Sequence, residues 1–90
     1  MSNYNLSSNL AISDNGFLFM SSTGETFTVN EIGKNILNEM KSGKDIETIR
    51  KMILDEYEVN DQILEKDLND FLNQLSTYNL IEELWKLHIL

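Results

Sequence analysis

The chain contains no cysteine, which excludes disulfides and thiolate metal sites and makes a cytoplasmic protein the plain reading. It has one histidine, His88, close to the end of the sequence, with no second metal-type ligand spaced around it. No metal site is therefore expected. Bases are scarce: seven Lys and Arg stand against fifteen Asp and Glu, a formal charge of −8. That balance opposes binding to nucleic acid, which needs concentrated positive charge along the phosphates. No run of about 18 apolar residues occurs, so no membrane span is expected. Residues 1–5 lack the basic region and apolar core of a signal peptide. The four glycines are dispersed at 16, 24, 33 and 43, so no loop exists to cradle a phosphate. Ser7-Ser8 and Ser21-Ser22 have no base nearby and read as loop residues. No enzyme site can be assembled from these residues and no cofactor is implied. This is a binding module.

What is present suffices for one small core: 90 residues, 41% of them apolar, in a single domain that buries about 60–65% of its unfolded surface. The chain is organised around Thr23–Gly33, which reads as a turn, an alternating strand and a helix start. Before it, residues 1–8 are polar and read as loose apart from Tyr4 and Leu6. Asn9–Ser13 is a short strand, Asp14-Asn15-Gly16 a hairpin turn, and Phe17–Met20 a second strand, apolar throughout and expected to be covered on both faces. Glu25–Val29 is the third strand, with Phe27 and Val29 on one face and Thr26 and Thr28 on the other. Three strands on short turns make an antiparallel meander that needs helices on one face.

Three helices follow. Asn30 caps the first, over residues 31–42, with an apolar stripe of Ile32, Ile36, Leu37 and Met40. Gly33, on the margin of that stripe, predicts the close passage of another backbone. Gly43 is a left-handed terminator and Asp45 caps a second helix to about Tyr57. Asn60 caps a third, carrying Leu64, Leu68, Phe71, Leu75 and Tyr78, with Ile63 and Asp67 on one margin and Leu72 on the other. An arc this wide exceeds the ~100° that one packing partner needs, so part of it faces either a groove or a second neighbour. Between Asp55 and Asp70 lie seven acids and the single base Lys66, read as a solvated face or as an attractor for a basic partner segment. Asn79 ends the helix. Trp85, Leu87 and Ile89 then alternate like a strand in a tail over residues 82–90 that needs a surface to bury it.

Gly24-x-x-Phe27-x-Val29-Asn30-x-x-Gly33, continuing to Ile36-Leu37, resembles the PqqD-like family, as do Asp67-Leu68-x-x-Phe71-Leu72-x-x-Leu75 and Leu80-Ile81. These are recognition domains of pathways that modify ribosomally made peptides. The resemblance covers residues 9–81 and implies an α+β, winged-helix-like fold: a three-stranded antiparallel sheet followed by three helices. Leu37 stands where the family often has a bulky aromatic, and Asn79 where it often has glycine. What the resemblance implies is a binder of the leader of a precursor peptide, with the leader added as a strand to the edge of the third strand. Carried over residue by residue, Glu25, Thr26, Phe27, Thr28 and Val29 would pair with the leader. Ile63, Leu64, Asp67, Leu68 and Phe71 would line its groove. The implied partner is a separate enzyme, a radical SAM protein or a leader peptidase. Two other readings stand beside it. One is a winged-helix DNA-binding protein, with Lys41, Lys44, Arg50 and Lys51 as its only basic cluster. The other is an oligomerising or docking module, a homodimer included, that uses the tail. The tail is also expected to compete with the leader for a strand edge.

Overall fold

A computed structural model describes residues 4–83. Their elements follow in the order β1 (Tyr4–Leu6), β2 (Leu10–Ile12), β3 (Phe17–Met20), β4 (Thr26–Thr28), α1 (Glu31–Lys41), α2 (Ile46–Glu56), α3 (Asp61–Thr77) and β5 (Ile81–Glu83). Strands β2, β3 and β4 form the expected meander, antiparallel throughout and in that spatial order. Alternation buries Leu18 and Met20 of β3 beneath the helices, and the core continues through Leu37, Ile49, Leu68 and Leu75. Phe17 and Phe19 point the other way and are 58% and 45% exposed. The expectation that both faces of this strand are covered is thus corrected: an apolar run does not reveal whether a second layer exists.

The helix limits follow the expected caps. The Asn30 side chain accepts a hydrogen bond from the Gly33 amide at 2.8 Å, and Asp45 accepts one from the Thr48 amide at 2.8 Å. Asn60 accepts from the amides of both Gln62 and Ile63. Each satisfies donors that a helix start leaves unpaired. Arg50 bridges α2 to the beginning of α3, donating to Glu47 and, at 2.6 Å, to Asp61. Asn79 ends α3 as expected, with a left-handed φ of 61°.

Tyr4 and Leu6, set apart from the loose start in the sequence, lie with Asn5 in a strand. It pairs antiparallel with Ile81–Glu83, Tyr4 opposite Glu83 and Leu6 opposite Ile81, and the Ser7 amide donates to the Leu80 carbonyl at 2.8 Å. The tail beyond residue 83, with the strand and the competition expected of it, lies outside the described residues.

Gly16 sets the height of β4. Its φ is +83°, a Cβ there would meet the Val29 carbonyl oxygen at 2.5 Å, and its own carbonyl accepts from the Val29 amide at 2.9 Å. Gly16→Ala is therefore expected to cost at least about 1–2 kcal/mol, the penalty of a left-handed L-residue before any clash. Urea unfolding measures it, and an unchanged midpoint would show that the turn rearranges freely.

Candidate functional site

The third strand of the meander lies at an edge of its sheet, and its backbone is arranged in two directions. The Met20 amide donates to the Glu25 carbonyl, and the Val29 amide donates to Gly16, each at 2.9 Å, so residues 25 and 29 turn their backbone groups toward β3. By the alternation of an antiparallel ladder, Thr26 and Thr28 turn theirs to the open edge. Their side chains are exposed, whereas Phe27 and Val29 are half-buried against the helices.

Where β4 ends, the chain enters α1, and the Asn30 cap fixes the angle at which it does so. The first turn of α1 lies against α3 at Gly33. A Cβ at Gly33 would meet the Val29 Cβ at 3.2 Å and Phe71 Cζ at 3.4 Å. The atoms that crowd Gly33 therefore belong to side chains, not to the backbone expected from the sequence. Between the end of β4, this first turn and α3 runs a groove of ≈ 480 Å³. Leu64 and Leu68 are buried in its floor, Ile63 is 60% exposed on its wall, and Phe71 is half-buried between them. The width of the α3 stripe is thereby explained, since part of it faces the groove.

Of the ten residues selected from the sequence, Thr28, Val29, Ile63, Leu64, Asp67, Leu68 and Phe71 line this groove. Glu25, Thr26 and Phe27 do not. Phe27 instead lines an adjoining hollow of ≈ 290 Å³, where its ring lies 5.1 Å from that of Tyr78 at an interplanar angle of 55°. Thr28, Val29, Phe71 and Gln74 border both spaces, so the seam between β4 and α3 is continuous. Sequence reasoning missed Ile32, Gly33 and Ile36 of α1, together with Asn30, Val59, Asp70 and Gln74. A signal existed for two of these: Asp70 and Gln74 follow Asp67 at three and seven residues, the same helical face.

The rim is acidic. Asp67 and Asp70 both border the groove and are exposed. Lys66 donates to Asp70 at 2.9 Å, which holds the lysine above its ordinary range, while Asp67 forms no ion pair among the described residues. The basic cluster weighed for DNA is partly consumed: Lys44 pairs with Glu39 at 2.9 Å, and Arg50 with Glu47 and Asp61. Among the described residues, no group of three or more His, Cys, Asp or Glu could hold a metal ion, and no helix is long and apolar enough to cross a membrane. Chemically, the site can pair with an extended backbone at β4 and bury apolar side chains beside it.

Comparison with known proteins shows the family and the fold. A family model described as "Coenzyme PQQ synthesis protein D (PqqD)" matches residues 15–81. Among solved structures, TbiB1 in complex with the TbiA(beta) leader peptide is 32% identical, with 87% of this chain and 94% of that one covered and a TM-score of 0.78. A lasso peptide synthetase B1 complexed with the leader peptide shares the fold at 19% identity, over 89% of this chain and 98% of that one, with a TM-score of 0.77. No curated protein matches the chain.

Proposed function

We propose that this chain, which belongs to the PqqD family, binds the leader of a ribosomally synthesised precursor peptide and presents it to a modifying enzyme. The observation that carries this reading is the open edge of β4 beside an apolar groove. Strand addition uses both: main-chain bonds give affinity, and pockets that take alternate side chains give specificity. TbiB1, similar over 87% of this chain, is complexed with a leader peptide. In this reading Thr26 and Thr28 bond the leader backbone, and the leader's inward side chains enter the groove beside Val29, Ile63 and Phe71. Glu25 and Phe27 hold β4 in place from its inner side.

The domain itself performs no chemistry in this scheme. It acts in the cytoplasm with a separate enzyme, a radical SAM protein or a leader peptidase. DNA binding is disfavoured by the −8 charge and by the ion pairs that occupy Lys44 and Arg50.

Titrating the isotopically labelled domain with the leader of its precursor peptide tests the proposal by NMR. Shifts concentrated at Glu25–Val29 and along Ile63–Phe71 are expected. Absence of shifts at high micromolar peptide, or shifts confined to other elements, would reject it.

A further inference from the structure

One carboxylate in the groove has no counterpart within the domain. Ile63, Asp67 and Phe71 follow one another at four-residue steps, a single row on the face of α3 that lines the groove. An acid thus interrupts an apolar row, above a floor of buried Leu64 and Leu68. Among the described residues, Asp67 and Asp70 are the only charged groups lining the groove, and no base lines it. Bases on the neighbouring turns are engaged elsewhere: Lys66 donates to Asp70 at 2.9 Å, and Lys34 pairs with Glu31 and donates to the Asp14 carbonyl. Lys66 reaches Asp67 through its field alone. Of the seven acids between Asp55 and Asp70, Asp67 is therefore the one that lines the groove without an ion pair among the described residues.

Water solvates this carboxylate in the free domain, because Asp67 is exposed. A peptide laid in the groove removes that water. A covered carboxylate without a partner is costly, and the penalty falls away when the peptide brings the missing charge. The seam between β4 and α3 fixes where in the peptide that charge belongs. Phe27 meets Tyr78 at one end of the seam, and Val29 and Phe71 close together on Gly33 further along. β4 and α3 therefore run beside each other in opposite directions. A strand advances about 6.7 Å in two residues and a helix about 6 Å in four. A leader side chain seated against Phe71 thus sets the next inward side chain, two residues away, against Asp67.

We propose that Asp67 selects leaders that carry Lys or Arg two residues from the apolar side chain seated against Phe71. The inference rests on leader addition at β4 and names the chemistry that this site demands of its ligand. Selection works by difference. A cation at that position pairs with Asp67 as the peptide covers it. An acid at the same position meets Asp67, with Asp70 one turn away, and is rejected.

The test uses the full chain and an array of peptides built on the leader of its own pathway, each position replaced in turn by Lys and by Glu. Fluorescence anisotropy gives the affinity ratio of every Lys–Glu pair. For the wild type, one position is expected to favour Lys by at least about twentyfold, the worth of a charge-assisted bond. It should lie two residues from a position where both replacements abolish binding. Asp67→Asn is expected to leave a ratio of at most about threefold there, the effect of an exposed charge such as Asp70. Asp67→Lys is expected to invert the ratio, and tight binding of the Glu peptide by this variant is a gain that misfolding cannot produce. A ratio that survives Asp67→Asn overturns the proposal, as does an Asp67→Lys variant that still prefers Lys. A wild type that binds the unaltered leader but favours Lys at no position also overturns it, and leaves the leader reading standing. A wild type that fails to bind the unaltered leader shows instead that the leader reading itself has failed.

Discussion

Val29→Asp is expected to weaken leader binding by about a hundredfold or more while the domain remains folded. Val29 closes β4 at the point where the groove begins, and Asp67 and Asp70 already border that groove. A third carboxylate there would be covered by the bound peptide without a partner, at a cost of about 3 kcal/mol or more. Because Val29 is half-buried, part of the substitution's effect falls on stability. Ile63→Asp separates the two effects. Ile63 is 60% exposed in the free domain, so its replacement costs folding little, yet a leader bound as proposed would cover it. Fluorescence anisotropy with a labelled leader, beside thermal melting of each variant, reads both quantities. Two folded variants with wild-type affinity would show that the leader lies elsewhere.

Thr28→Pro is expected to cost about 1–3 kcal/mol of leader binding, or about five- to a hundredfold, without disturbing the bond between Val29 and Gly16. The substitution removes an amide that faces the open edge and places a ring where the incoming strand would pass. Proline is tolerated at such an edge because no bond inside the sheet is lost. A leader N-methylated at the amide facing Thr28 should show a comparable loss from the ligand's side. This pair of measurements separates strand addition from docking of a helix, which would leave the backbone of β4 unused. Affinity that survives both changes would exclude the strand mode.

The features that could be read from the sequence are those set by neighbours in the chain. Asn30, Asp45 and Asn60 cap helices through bonds to residues two or three positions on, and Asn79 takes its left-handed turn as a local event. The halves of the groove were legible for a different reason: Val29 and Phe71 sit in motifs that resemble a known family, and the resemblance implied Ile63 beside them. The α1 wall was not, because Ile32 and Ile36 look like ordinary core until the angle between α1 and α3 is known. The pairing of Tyr4–Leu6 with Ile81–Glu83 was out of reach. Three residues carry too weak a pattern to announce a partner most of the chain away. Phe17–Met20 misled in the opposite direction, since four apolar residues in succession suit a doubly covered strand as well as an open one.

That last pairing has a consequence for how the domain can be built into larger proteins. Tyr4 lies opposite Glu83 in an antiparallel ladder, so the two ends of the described chain are separated by about 5 Å, a single strand spacing. A two-residue hairpin turn could join them. The backbone is in effect a ring opened at a point that contributes neither to the edge of β4 nor to the groove. Such a unit can be appended to a host at either end, or spliced whole into a surface loop, and it asks of that host only two anchor points side by side. Neither arrangement touches the edge of β4 or the groove beside it.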